Sequence, residues 1–180
     1  MSDGHSARPG DFATAGNSDH GPASDCEFCA APPSGGAGGP VLWRDALCRV
    51  ALVEDPHYPG FCRVILNRHV RETSDLPAAE QAALMRVVFA VEAAVRGVVR
   101  PDKLNLASLG NVTPHVHWHV IPRWTDDRHF PTPIWGAPRR ESAPRPAPPD
   151  LAARLSEGLV ARLGPSDADS AESPGPPRAS

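Results

Sequence analysis

Hydrophobic and polar residues alternate with the short period of β-strands in several segments of this chain. Apolar-rich runs at residues 41–43 and 47–53 flank a polar connection and predict a strand pair. The run at 61–66 follows a turn and predicts a third strand, and two more strands are predicted at 104–108 and 115–122.

Between the third and fourth of these strands the period changes to that of a helix. Apolar residues recur every three or four positions and form one stripe, made of Leu84, Val87, Val88, Val91, Ala94, Val95 and Val98. Ser74 or Asp75 is predicted to cap this helix and Pro101 to end it. Strands, one long helix and further strands together predict an α+β domain with a mostly antiparallel sheet.

A shorter helix is predicted at residues 149–163, where leucines recur on one side. The pattern leaves two arrangements open for this helix. It either docks on the domain or forms an independent amphipathic tail.

Proline and glycine, 22 and 15 of the 180 residues, are concentrated outside the predicted elements. Residues 1–24 are rich in Gly, Ser, Asp and Ala, and residues 138–149 and 164–180 are rich in Pro, Ala and Ser. Such segments bury too little apolar surface to offset their ordering entropy. We therefore expect a disordered N-terminal tail over 1–24, a folded domain over 25–137, and a Pro/Ala-rich C-terminal tail over 138–180 that includes the short helix.

The charge balance, 18 basic against 21 acidic residues, argues against a nucleic-acid partner. No apolar run approaches the length of a membrane helix, and the first residues lack the apolar core of a secretory signal. We therefore expect a cytoplasmic protein with no membrane partner. In that compartment a close cysteine pair is more typical of a metal site or a redox site than of a structural disulfide.

The most informative segment runs from Pro114 to Arg123 and contains His115, His117 and His119. Strand alternation places the three imidazoles on one face and Val116, Trp118 and Val120 on the other face, toward the core. A histidine row can also be a solvated sheet face, an adventitious metal site or a set of core histidines satisfied by the backbone. Three histidines at period two, opposite an apolar face, favour a chemical role, because imidazole serves as nucleophile, acid–base group or metal ligand near neutral pH.

The sequence His-Val-His-Trp-His-Val-Ile, residues 115–121, resembles the motif of the histidine triad superfamily. The resemblance extends over about residues 25–135. Within the superfamily, the chain most resembles a bacterial branch often labelled diadenosine tetraphosphate hydrolase-like. The segments that carry this resemblance are Pro-Gly-Phe-Cys-Arg-Val and Asp-Asp-Arg-His-Phe-Pro. It implies the histidine triad fold.

The resemblance also implies a mechanism. His117 would attack the α-phosphorus of a nucleotide and form a covalent nucleotidyl-histidine, and His119 would contact the phosphoryl oxygens or the leaving group. Asn105, Asn111 and Thr113 are candidates for binding the substrate phosphates. Many family members carry Gly-Gln-Ser/Thr-Val before the triad. This chain has Gly-Asn-Val-Thr-Pro at residues 110–114, so its phosphate contacts depart from that pattern.

Cys26 and Cys29 form a CxxC pair that is ambiguous by itself. Several proteins with the triad, including the galactose-1-phosphate uridylyltransferase relatives, bind zinc through such a pair, an upstream histidine and the first triad histidine. The matching residues here are Cys26, Cys29, His69 and His115, a set suited to tetrahedral structural Zn²⁺. Cys48 and Cys62 lie in apolar strand patterns and are predicted to be buried thiols.

Several further residues are candidates for the expected site. Trp43, Leu47, Phe61 and Val64 are possible walls of an apolar base pocket, although plain core packing competes for each of them. Arg123 and Arg128 are candidates for contacting distal phosphates, and His57 and His129 are expected to be exposed in turns.

The sequence is compatible with three functions. The first is a nucleotide hydrolase that cleaves dinucleoside polyphosphates or nucleotidyl conjugates at the α-phosphate. The second is a nucleotidyltransferase or phosphorylase that uses the same intermediate, and the third is a zinc-stabilised nucleotide-binding regulatory protein without turnover. The resemblance and the small size of the folded part also predict a homodimer.

Overall fold

The computed structural model describes residues 25–30 and 39–167. The tail predicted over residues 1–24 lies outside the described residues, as do residues 31–38 and the last part of the C-terminal tail, 168–180.

Within the described residues, five strands form one sheet in the order β1-β2-β3-β5-β4, and every neighbouring pair is antiparallel. The strands are β1 Val41–Arg44, β2 Cys48–Leu52, β3 Cys62–Leu66, β4 Lys103–Ala107 and β5 His117–Arg123. This arrangement confirms the predicted α+β fold with a mostly antiparallel sheet.

Three helices accompany the sheet in the described part of the chain: α1 Glu27–Ala30, α2 Ala78–Val99 and α3 Leu151–Leu163. The long helix α2 begins later than the sequence predicted. Ser74 and Asp75 lie in a separate 3₁₀ turn, and Leu76 is extended because a residue that precedes a proline avoids the helical region. The helix ends as predicted, with Arg100 in the left-handed conformation before Pro101.

The main hydrophobic core lies between α2 and one face of the sheet. The helix buries the predicted stripe against strand residues that alternate toward it, and these include Val50, Val64 and Val120. Val116 and half-buried Trp118 also contribute to this core, which confirms the apolar side of the histidine segment.

None of the helices in the described ranges is both long and apolar enough to span a bilayer.

Helix α3 docks on the domain and is not an independent tail. Leu155 and Leu159 are buried in the main core, next to α2 and the edge strand β1. The Ser156 hydroxyl donates to the carbonyl of Leu42 at 2.7 Å, and the Trp43 indole N–H donates to the carbonyl of Gly164 at 3.1 Å. The folded unit therefore extends beyond the boundary at residue 137 that composition predicted, because two leucines in a polar segment cover part of the apolar face.

The face of the sheet opposite the main core carries the histidines and two arginines. The strand register places Arg49, Arg63, His117 and His119 on this face, together with Ala51 and Ile65. The turn around α1 covers part of it, because Cys26 and Phe28 pack on Ala51 and Ile65. Arg49 holds this turn in place by donating from Nη2 to the carbonyl of Phe28 at 2.8 Å.

Candidate active site and metal centre

The three histidines lie on one face of the segment that ends in β5, as predicted, and all three are buried. His117 and His119 point toward each other, with their Nε2 atoms 3.1 Å apart. The Nδ1 atom of His117 lies 2.6 Å from the carbonyl oxygen of His115. A carbonyl can only accept, so His117 carries its proton on Nδ1 and presents an unprotonated Nε2.

The surroundings of both imidazoles favour their neutral form. Burial lowers the pKa of His117, and the positive charge of Arg63 lowers it further, against the opposing hydrogen bond to the His115 carbonyl. Burial lowers the pKa of His119 to about 3, with contributions from His117 and Arg63. A neutral His119 that carries its proton on Nε2 donates to the Nε2 lone pair of His117.

A cavity of about 450 Å³ opens over these two histidines. Asn111 and Thr113, both predicted to bind substrate, line it on the loop before the triad. Asn105 does not line this cavity, although it lies on the same sheet face. Its side-chain oxygen instead accepts a hydrogen bond of 2.7 Å from Arg123.

Further residues that the sequence did not single out line the same cavity, among them Phe28, Trp135, Glu27 and Arg63. The Phe28 ring packs edge-on against His117 at 4.9 Å, and the Trp135 ring packs against His119 at 5.0 Å, both measured between ring centroids. Glu27 accepts a hydrogen bond of 2.6 Å from the Thr113 hydroxyl, and Arg63 pairs with His119 across the strands. The position of Phe28 inside the CxxC pair was the one signal that associated it with the site.

Cys26, Cys29, His69 and His115 converge beside the histidine pair, as predicted, and could hold a metal ion. Their candidate ligand atoms all lie within 4.8 Å of one another. The two Sγ atoms lie 3.4 Å and 3.5 Å from Nδ1 of His115, and Cys29 Sγ lies 3.4 Å from Nδ1 of His69. Zinc–ligand bonds of about 2.0–2.3 Å at tetrahedral angles separate sulfur from nitrogen by about 3.5 Å, so the cluster fits this geometry.

The hydrogen bonding and the pKa values around the cluster also support a metal site. The other ring nitrogen of His115, Nε2, lies 2.8 Å from the carbonyl oxygen of Leu66, an arrangement that leaves Nδ1 free for a metal. Burial raises the pKa of the Cys29 thiol to about 11, and the neighbouring Cys26 adds to this effect. A bound cation would favour the thiolate, which is the form that coordinates metal.

Several of the further candidate residues lie away from the cavity over the histidines. Trp43, Leu47 and Val64 belong to the main core on the other face of the sheet, whereas the Phe61 ring lies 5.7 Å from the His119 ring. Arg123 is 2% exposed and pairs with Asp127, so the expectation that it meets distal phosphates is wrong.

The turn residues also differ from expectation. His129 is buried rather than exposed, because its Nδ1 lies 2.6 Å from the Tyr58 hydroxyl. His57 is half-buried. Arg128 lies near His57, away from the cavity over the triad. Cys48 and Cys62 are buried thiols, as predicted.

Comparison with known proteins places this geometry in a family. Residues 38–126, which include the sheet, helix α2 and the three histidines, match the HIT domain. This part of the chain is a HIT domain. A histidine triad protein from Bradyrhizobium japonicum has a similar solved structure, with a TM-score of 0.56 and 29% sequence identity over 68% of this chain and 89% of that one.

Two curated relatives have names that state an activity. A Mycobacterium tuberculosis protein named AP-4-A phosphorylase is 33% identical over 105 residues, which are 55% of this chain and 54% of the relative. A Schizosaccharomyces pombe protein named asymmetrical bis(5'-nucleosyl)-tetraphosphatase is 31% identical over 91 residues, 48% of this chain and 50% of the relative. The chain spans about half the length of the curated relatives that it matches.

Proposed function

We propose that this HIT protein cleaves dinucleoside polyphosphates or nucleotidyl conjugates at the α-phosphate through a covalent nucleotide on His117. The observation that carries the proposal is the unprotonated Nε2 of His117 at the floor of the cavity, oriented by the contact of Nδ1 with the His115 carbonyl. The names of the two curated relatives support dinucleoside polyphosphates as the substrate class.

The reaction would proceed in two displacements. In the first, with a dinucleoside polyphosphate as substrate, the Nε2 lone pair of His117 bonds to the α-phosphorus, the bond from phosphorus to the bridging oxygen breaks, and the leaving group departs with that electron pair. The imidazole becomes positively charged in this step, and the His115 carbonyl, which accepts its Nδ1–H, stabilises that charge.

In the second displacement an acceptor oxygen bonds to the phosphorus. The N–P bond breaks, its electron pair returns to His117, and the proton of the acceptor is released to the solvent of the cavity. His119 is positioned to donate its Nε2–H to a phosphoryl oxygen, because this atom lies 3.1 Å from the attacking nitrogen. Asn111 and Thr113 are proposed to bind phosphate from the loop above the histidines.

Phosphate is the acceptor that a second candidate function requires. The name of the Mycobacterium tuberculosis relative favours such a phosphorylase, in which inorganic phosphate replaces water in the second step. Turnover measured with and without added phosphate distinguishes the two functions. A rate that rises in proportion to phosphate identifies the phosphorylase, whereas a rate that is independent of phosphate identifies the hydrolase.

The covalent step is tested by intact-mass analysis after an acid-free quench of protein mixed with dinucleoside tetraphosphate. We expect a fraction of the chain to gain the mass of one nucleotidyl group, and we expect His117→Gln to gain none. Turnover without any adduct, or an adduct that persists in His117→Gln, would contradict the assignment.

We also propose that the cluster of Cys26, Cys29, His69 and His115 binds one structural Zn²⁺. Four protein ligands leave no open coordination position, so the ion would join the α1 turn to the histidine segment and not take part in the displacement. Phe28 lies between the two cysteines in sequence and contacts His117, so the same turn supports the nucleophile.

We propose in addition that the protein is a homodimer. Phe89 on α2 is 54% exposed, which is unusual for a large aromatic side chain on a core helix and offers apolar surface for such pairing.

A further inference from the structure

Arg63 lies on β3 directly across from His119, and Ile65 lies across from His117. Side chains of cross-strand partners project from the same face, so the guanidinium of Arg63 accompanies the histidine pair and lines the cavity over it. Its carbon Cζ lies 5.8 Å from the centroid of the Phe28 ring, so the aromatic ring beside the nucleophile also supports the cation.

The cavity has few charged groups. Among the described residues that line it, Arg63 carries the single guanidinium or ammonium group and Glu27 the single carboxylate. Burial lowers the pKa of Arg63 and the negative charge of Glu27 opposes that effect, so the arginine stays charged in a partly desolvated position. An anion that enters such a position meets a stronger attraction than one at an open surface.

The position of Arg63 along the sheet indicates which part of an anionic substrate it meets. His117 and His119 are two residues apart, and two residues along a strand span about 6–7 Å. The backbone of Arg63 is level with that of His119 and is therefore displaced by that distance from the backbone of His117, although the Nε2 atoms of the two histidines lie 3.1 Å apart. A substrate whose α-phosphorus contacts Nε2 of His117, and whose polyphosphate runs along the strand toward His119, would bring the following phosphates near this guanidinium.

We propose that Arg63 forms a binding subsite for the polyphosphate of the leaving group, and that it makes the enzyme prefer leaving groups that carry phosphates. This inference rests on the proposed function for its orientation along the substrate. The planar guanidinium binds two phosphate oxygens at once, whereas a lysine at this position would supply only a point charge. Glu27 competes with the incoming anion for Arg63 in the same cavity.

The first experiment measures the binding of inorganic tripolyphosphate by calorimetry, which requires no turnover. We expect Arg63→Gln to weaken binding by about 10- to 100-fold, as for the loss of hydrogen bonds to a charged group. Arg63→Lys should fall between wild type and Arg63→Gln, and Glu27→Gln should bind more tightly than wild type. The matched control is Arg86→Gln, which removes one positive charge from the exposed side of α2 on the far face of the sheet and should bind like wild type.

The second experiment compares kcat/KM for a dinucleoside tetraphosphate and for an adenosine phosphoramidate, whose leaving group carries no phosphate. Arg63→Gln should lose at least about tenfold on the first substrate and less than about threefold on the second. Equal losses on both substrates, or tripolyphosphate binding that is undetectable in wild type or unchanged in Arg63→Gln, would overturn the subsite. Tripolyphosphate binding that depends on Arg63, in a protein that turns over neither nucleotide, would refute the proposed function and leave the anion subsite standing.

Discussion

Removal of one partner from the buried ion pair of Arg123 and Asp127 is expected to be strongly destabilising, and Asp127→Asn tests this directly. Both side chains are 2% exposed. The Asp127 carboxylate accepts six hydrogen bonds, from Arg123 Nε and Nη2, the Tyr58 hydroxyl, and the backbone N–H groups of Trp124, His129 and Phe130. Asparagine has nearly the same shape, but its NH₂ group would face donors where the carboxylate now accepts.

Two estimates of the cost agree in size. Burial alone would raise the pKa of Asp127, but the hydrogen bond from Arg123, the backbone N–H groups and the charge of Arg123 outweigh it and lower the pKa from 3.8 to about 2. That difference corresponds to about 2.4 kcal/mol at neutral pH. Removing one partner of a buried ion pair costs about 3–5 kcal/mol. We therefore expect Asp127→Asn to lower the free energy of unfolding by about 3 kcal/mol.

The stabilising contribution of the Asp127 carboxylate should also depend on pH. Because the folded-state pKa of Asp127 lies below the unfolded value, its contribution is complete well above pH 3.8 and is lost as the pH falls toward 2. By this relation about half of the contribution remains at about pH 3. The variant has no such group, so the difference in unfolding free energy between wild type and Asp127→Asn should shrink on acidification.

Urea unfolding at pH 7 and at about pH 3 measures both quantities, with Asp126→Asn as the matched control. Asp126 is the preceding residue of the chain but is 74% exposed in its pair with Arg145, so its loss should cost at most about 1 kcal/mol. The reasoning is refuted if Asp127→Asn is no more destabilised than Asp126→Asn, or if its deficit is the same at both pH values.

Further predictions concern the site and the assembly. His117→Gln should abolish turnover while folding and nucleotide affinity persist, and a rate within about tenfold of wild type would exclude covalent catalysis by this residue. Metal analysis of untagged protein should find one zinc per chain, lost in the double variant Cys26→Ser plus Cys29→Ser. Stoichiometric zinc in that variant, or a folded and active wild type without zinc, would contradict the site. Sedimentation equilibrium should give a dimer of the 19.1 kDa chain, and a monomer mass at all micromolar concentrations would exclude it.

The sequence by itself determined the elements and the side chains that share a face. The strands, the long helix α2 and the alternation of His115, His117 and His119 follow from periods of 2 and 3.6, which the covalent spacing of the backbone imposes locally. The ligand set of Cys26, Cys29, His69 and His115 came from family resemblance and not from these periods. Its assembly joins residues as far as 89 positions apart.

What the tertiary structure decided depends on which elements meet and in what register. Arg63 lies opposite His119 only because β3 pairs with β5 in this register, and a shift by one residue would turn its side chain to the other face. Arg123 looked like a phosphate ligand because the sequence does not reveal that Asp127 closes on it in a buried turn. The docking of α3 was left open for the same reason, since an amphipathic stripe shows that a helix has an apolar face but not which surface will cover it.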